Sequence, residues 1–102
     1  MKTTDAFFYK IHLKRFKQAN IEYDKAIIKN DIERAELFYE RMLKEIDILN
    51  QMLNKWISKY PQSKDIWKST IEGNTNIKES IIKDFTSRKR ETAEREKEGL
   101  NG

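Results

Sequence analysis

Cysteine is absent from the chain, while proline occurs once and glycine three times in 102 residues. Without cysteine the protein has no disulfide, no thiol nucleophile and no zinc–thiolate site, and this composition suits a reducing compartment. So few turn-forming residues argue against a β-sheet, because strands need frequent turns. Charged residues instead make up 37% of the chain, which is typical of long, solvent-exposed helices.

Long apolar runs are also missing. No stretch reaches the roughly eighteen apolar residues that a membrane-spanning helix needs. Residues 1–17 mix charged and aromatic side chains and do not resemble a signal peptide. We therefore expect no membrane span and a cytoplasmic location, with a single domain formed by a chain of this length.

Motifs for catalysis or metal binding are missing as well. His12 is the only histidine, and no second histidine or carboxylate cluster accompanies it at a spacing that would hold a metal. Serine and threonine residues do not lie in a glycine-rich loop or a nucleophile elbow. We expect no catalytic, cofactor-binding or metal-binding residues and no enzymatic activity, with His12 a surface or half-buried residue of a helix.

Two long stretches show apolar residues every three or four positions, the pattern of a coiled-coil seam. In the first stretch the series is Ala6, Tyr9, Leu13, Phe16, Asn20, Tyr23 and Ile27. In the second it is Ile32, Ala35, Tyr39, Met42, Ile46, Leu49, Leu53, Trp56 and Tyr60. The sequence predicts an antiparallel hairpin of helices at about 4–29 and 31–60, in a register that pairs Asn20 with Tyr39.

Turn signals divide the rest of the chain. Asn30 can cap the second helix, and Pro61 ends it because a residue before proline avoids helical geometry. A short helix is expected at about 64–72. Gly73 and the asparagine after it then predict a break before a C-terminal helix at about 76–98, and both helices should pack on the hairpin.

The apolar pattern stops at Phe85. We predict one helical domain over 1–85, followed by a charged helical overhang or frayed tail over 86–102. Arginine, lysine and glutamate alternate in this last segment, and such mixed charge is typical of an exposed helix held by pairs three and four residues apart.

Basic residues are concentrated in the first helix. The net charge of +4 is matched by residues 1–30 alone, which hold seven basic and three acidic side chains. A solvated helix face is the simpler interpretation, whereas a binding face would contact phosphates in a salt-dependent way. The candidate nucleic-acid-binding residues are Lys10, Lys14, Arg15, Lys17, Lys25 and Lys29.

Several apolar residues of the hairpin point away from its seam. The C-terminal helices can cover one outward side of the hairpin but not both, so the uncovered side is the candidate surface for a partner. The candidate partner-binding residues are Phe7, Ile11, Leu37, Ile48 and Met52.

These observations favour a non-enzymatic protein–protein interaction module. The leading hypothesis is a small accessory or inhibitor subunit that docks on a larger protein, including one that processes nucleic acid. Small size and the many lysine, isoleucine and asparagine residues suit a phage, plasmid or other mobile element with an AT-rich genome. Two alternatives remain open: direct nucleic-acid binding through the basic helix face, as a monomer or a homodimer, and a cytoplasmic immunity-type helical bundle.

Overall fold

The computed structural model describes the backbone of residues 3–101 and the side chains of residues 3–99. Within that part of the chain the elements are helix α1 (Thr3–Ile28), helix α2 (Ile32–Lys59), a 3-10 turn (Pro61–Ser63) and helix α3 (Lys64–Asn101). The predicted all-α hairpin is confirmed, and each end of α1 and α2 lies one residue from its predicted position. None of these helices is long and apolar enough to cross a membrane.

A tight turn reverses the chain between α1 and α2. Asn30 has φ 57°, the left-handed conformation that asparagine tolerates better than most residues. The N–H of Asp31 then donates to the carbonyl of Ala26 at 2.9 Å, and that of Asn30 to Ile27 at 3.0 Å, which is a Schellman closure of α1. The cap of α2 is therefore Asp31, whose carboxylate accepts from the Arg34 N–H at 3.1 Å, and not Asn30 as predicted.

The seam of α1 differs from the predicted one at two positions, where Ala19 and Ala26 are buried instead of Asn20 and Ile27. Its buried residues are Ala19, Tyr23 and Ala26, whereas Asn20 is exposed. The predicted pairing of Asn20 with Tyr39 is therefore wrong. Small side chains at the contact let two helices approach closely, so the alanines turn toward α2 and Asn20 faces a groove lined by residues of α3.

The seam of α2 follows the prediction more closely. Its buried residues are Ala35, Phe38, Met42, Ile46, Leu49, Leu53 and Trp56. Phe38 replaces Tyr39 among them, because Tyr39 turns toward α3 and stacks on Phe85 with ring centroids 4.2 Å apart. This central helix therefore has partners on two sides.

Helix α3 runs without interruption through Gly73, so the predicted break between 64–72 and 76–98 is wrong. Side chains shielded from solvent continue across that point at steps of four and three: Trp67, Ile71, Asn74, Lys78, Ile81 and Phe85. Asn74 donates to the Asn50 side chain of α2 at 3.0 Å. A continuous seam of this kind outweighs the low helix propensity of one glycine.

Polar contacts show that α3 runs antiparallel to α2. Lys78 lies 2.6 Å from Asp47, and Lys89 lies 3.0 Å from Glu36. Early residues of α3 therefore face late residues of α2, and the reverse.

Aromatic residues connect the three helices where α2 ends. Pro61 terminates α2 as predicted, after the Tyr60 N–H donates to the Trp56 carbonyl at 2.7 Å. The Trp56 ring lies 5.4 Å from Tyr9 of α1 and 5.9 Å from Trp67 of α3, centroid to centroid. Offset or tilted aromatic contacts at such distances stabilise a fold beyond the area they bury.

Near the hairpin turn, Tyr23 joins α1 to α3. Its hydroxyl donates to the Asp84 carboxylate at 2.8 Å, and the Arg88 guanidinium donates to the same oxygen at 2.9 Å. Burial, followed by the hydrogen bond to Asp84, raises the pKa of the Tyr23 hydroxyl well above its ordinary value. The contact with Asp84 likewise raises the pKa of Arg88.

The resulting structure is long and flat, with extents of 62 × 20 × 14 Å. Helix α3 extends past Phe85, and its residues from Ala93 to Gly99 are exposed. The division into a domain over 1–85 and an overhang over 86–102 stays a prediction. Residues 1, 2 and 102 of those segments lie outside the described chain.

The continuous α3 predicts that Gly73→Ala stabilises the protein. A methyl group at Gly73 would meet no atom within 4 Å, and alanine restricts the unfolded chain more than glycine does, so we expect a gain of about 0.5 to 1 kcal/mol. Urea unfolding would measure it. Gly99→Ala, near the end of the helix, is the control and should give a smaller gain. A loss of stability in Gly73→Ala would instead support a helix break at this position.

Tyr23→Phe should destabilise the fold by about 1 kcal/mol at neutral pH, because it removes the hydrogen bond to Asp84. The pKa of Tyr23 is higher in the folded than in the unfolded state, so its contribution is complete below pH of about 10 and declines as the pH rises further. Urea unfolding at several pH values would therefore show the difference between the wild type and Tyr23→Phe shrinking above that pH. A difference independent of pH would contradict this assignment.

Candidate partner-binding face

The α1–α2 hairpin has a groove on each side, and α3 occupies one of them. Residues of α2 that meet α3 include Tyr39, Asp47 and Asn50. On the other side of the hairpin, Phe8 and Leu37 are 50% and 49% exposed. We call this second side the open face.

Two parallel stripes of side chains form the open face. The stripe on α1 contains Phe8, Ile11, Arg15, Gln18 and Glu22. The stripe on α2 contains Leu37, Arg41, Lys44, Ile48 and Met52. Steps of three and four residues keep each stripe on one side of its helix, and the α1 stripe extends for about 21 Å at the rise of an α-helix.

One end of the open face is apolar. Phe8 is 50% exposed, and its ring packs edge-on against Phe7 at 5.9 Å. Ile11, Ile48 and Met52 are each half-buried. Because the helices are antiparallel, the turn that precedes Arg15 on α1 lies beside the turn that follows Lys44 on α2, so these residues gather at the same end.

A polar bridge forms the floor of the open face. Nδ1 of His12 lies 2.7 Å from the Glu45 carboxylate, and the two side chains are only 20% and 14% exposed. His12 is thus half-buried, within the range predicted for it. Its partner Glu45 was not predicted, because the contact joins residues 33 positions apart.

The middle of the open face is cationic. Arg15, Arg41 and Lys44 line one cleft, whose floor includes Phe38. Among residues 3–99, no carboxylate oxygen lies within 4 Å of a charged nitrogen of these three. Glu45 borders the same cleft but pairs with His12. Three positive charges therefore line one cleft without a direct ion pair in the described chain.

The Phe38 ring on the floor of the cleft contacts two cations. The guanidinium carbons of Arg34 and Arg41 each lie 5.3 Å from the centre of the Phe38 ring. Cations at this distance are attracted by the ring quadrupole. Arg34 also pairs with Glu22 at 3.7 Å, whereas Arg41 forms no ion pair within 4 Å among residues 3–99.

The predicted partner-binding residues gather mostly on this face. Ile11, Leu37, Ile48 and Met52 belong to it, while Phe7 is 59% exposed and lies toward the outer side of α1. Phe8 belongs to the face but was not predicted. Its position three residues before Ile11, and so on the same side of α1, was the available signal.

The candidate nucleic-acid-binding residues lie in several different environments. Lys10, Lys14 and Lys17 are exposed on the outer side of α1, and no carboxylate oxygen of residues 3–99 lies within 4 Å of them. Lys25 pairs with Glu22 at 3.5 Å. The other two members also separate, since Lys29 is in the turn and Arg15 belongs to the cleft of the open face.

Comparison with known proteins identifies no relative: no family model, curated protein or solved structure matches the chain. Within the described residues, no three histidine or acidic side chains form a group that could hold a metal ion.

Removing the His12 side chain tests the bridge beneath the open face. His12→Ala leaves the shielded Glu45 carboxylate without its partner, and we expect a loss of about 1 to 3 kcal/mol in urea unfolding. His12→Gln keeps a side-chain donor and should recover part of that loss. Equal destabilisation by both substitutions would indicate that packing, and not the hydrogen bond, is what His12 supplies.

Proposed function

We propose that this protein is a non-enzymatic docking subunit that binds a larger protein through the open face. The observation that carries the proposal is the apolar end of the open face, where Phe8 is 50% exposed and Ile11, Ile48 and Met52 are half-buried. It lies beside three cations that line one cleft. An exposed apolar cluster with a polar rim is the usual character of a protein interface.

This surface lowers the stability of the folded protein, and that cost supports the proposal. Exposed apolar groups contribute little to folding, and three neighbouring cations repel one another. A surface maintained only for solubility needs neither feature, since scattered charges of both signs serve that purpose. Docking gives both features a use, because the apolar end supplies binding energy and the cations supply orientation.

Within this docking function, the more specific role that we propose is that of an accessory or inhibitor subunit. Small size and elongated shape support them, since the face can lie along a larger protein without enclosing it. A phage, plasmid or mobile-element origin rests on composition.

Capture of partners from a lysate of the source cells tests docking. We expect a protein that stays bound after nuclease treatment and in high salt, because salt screens charges and leaves apolar contacts in place. The double variant Phe8→Ser with Met52→Ser should lose about tenfold or more of the binding. Its matched control is Ile66→Ser with Ile82→Ser, which removes two exposed isoleucines of α3 and should retain the partner.

Two outcomes contradict the proposal. Equal capture by the open-face variant and the α3 variant would show that the face is not the binding surface. A homodimer seen by light scattering, and dissociated by the open-face variant, would show that a second copy occupies the face. Urea unfolding of each variant would establish that both remain folded.

A second candidate function is nucleic-acid binding by the outer side of α1. Lys10, Lys14 and Lys17 favour it, because they project from successive turns without ion pairs in the described chain and so are available to phosphates. Phe7 and Ile21, at 59% and 49% exposed, lie on either side of these lysines along the helix.

Fluorescence anisotropy with a labelled DNA duplex tests this second function. Three phosphate contacts predict that log K falls with log salt with a slope of about −2.7. Lys10→Glu, Lys14→Glu and Lys17→Glu together should abolish the binding. Unchanged affinity would contradict the assignment, as would loss of binding only when Arg15, Arg41 and Lys44 are replaced.

A further inference from the structure

We infer that the occupant of the open face is an amphipathic helix of a partner protein that carries acidic residues beside its apolar ones. This inference rests on the proposed docking function and specifies the chemistry of the partner. Shape, charge and spacing each support it.

Shape favours a helix, because the opposite groove of the same hairpin already holds one. Helix α3 lies along α2 there, and shields its side chains at steps of three and four residues from Trp67 to Phe85. Two antiparallel helices form a groove on each side of similar width. The open face is about 21 Å long, which corresponds to about fourteen residues of a partner helix.

Charge distinguishes the two grooves. On the covered side, α2 presents Glu36 and Asp47, and α3 supplies the matching lysines at 3.0 and 2.6 Å. On the open side the hairpin presents Arg15, Arg41 and Lys44 in a single cleft, and the one carboxylate that lines it, that of Glu45, already pairs with His12. By the same complementarity, a helix bound there should supply carboxylates.

The arginines of the cleft strengthen its preference for carboxylates. A guanidinium offers several donors in a planar fork, which matches a carboxylate in a bidentate arrangement. Arg41 is held over the Phe38 ring at 5.3 Å, so part of its conformational freedom is already restricted before a partner binds. Such preorganisation lowers the entropic cost of binding.

Spacing predicts the pattern of the partner helix. Phe8 and Arg15 are seven residues apart on α1, or about 10 Å along the helix axis. The partner should therefore place apolar residues against the end that contains Phe8 and Met52, and an aspartate or glutamate about two turns away.

A second copy of this chain that docked face to face would bring the Arg15, Arg41 and Lys44 clefts of both copies together, and like charges repel. The exposed C-terminal segment of a second copy is also a poor occupant, because it carries glutamates but between Thr86 and Gly99 its only aliphatic residue is Ala93. A segment with so few apolar side chains cannot fill the apolar end of the face.

The test is selection from a displayed library of helical peptides of about 20 residues, randomised along one face and selected on the intact wild-type protein. We expect selected peptides to combine apolar residues with aspartate or glutamate about seven positions away. Replacement of Arg15, Arg41 and Lys44 by glutamate should weaken their binding by about tenfold or more. Replacement of Lys10, Lys14 and Lys17 by glutamate changes the net charge equally and should leave it within about twofold at physiological salt.

The outcomes separate this inference from the proposed function. Peptides that lose binding in Phe8→Ser with Met52→Ser, yet lack acidic residues, would overturn the acidic helix and leave docking in place. Failure to obtain any peptide dependent on Phe8 and Met52 would overturn docking itself. If both triple glutamate variants weakened peptide binding equally, the preference for acidic peptides would come from the net charge of the protein. That result would overturn the inference. Selection of basic peptides by the Arg15, Arg41 and Lys44 variant would support it further.

Discussion

An antiparallel pair of helices exposes a groove on each side, and the described chain supplies one further helix to fill them. The hydrogen bonds around Asn30 close α1 and reverse the chain within a few residues, so α2 lies antiparallel to α1. Helix α3 then fills one groove through a continuous seam that includes the stacked pair of Tyr39 and Phe85. The candidate face follows from that asymmetry, since the other groove keeps Phe8, Leu37 and its cationic side chains exposed.

The hairpin could be predicted because its determinants are local. Apolar residues recur at helical spacing, and Pro61 ends α2 where expected. The errors arose where a tertiary contact decided between neighbouring residues. Ala19 replaced Asn20 in the seam because it lets α2 approach closely, and Phe38 replaced Tyr39 because Tyr39 had an aromatic partner on α3. A break at Gly73 was wrong for the same reason, since the seam of α3 continues across it and holds the glycine in a helix.

Part of the candidate face could also be predicted. Ile48 and Met52 lie off the seam by simple periodicity, which was enough to place them on an outward side. The cationic cleft could not be predicted, because Arg15 belongs to α1 while Arg41 and Lys44 belong to α2. Only the register between the helices brings these residues together, and that register depends on Ala19 and Ala26 rather than on any motif. The bridge from His12 to Glu45 could not be predicted for the same reason, because it joins residues of two helices.

Helix α3 covers one groove of the hairpin, while the open face stays accessible to solvent. Because the chain has no cysteine, a single introduced thiol can be labelled without interference, and the rates in Phe8→Cys and Phe85→Cys compare the two sides directly. Phe8 is 50% exposed and Phe85 is 4% exposed. The thiol of Phe8→Cys should react nearly as fast as in urea, and that of Phe85→Cys at least about a hundredfold more slowly, because its reaction requires local opening. Similar rates at the two positions would contradict this arrangement of the helices.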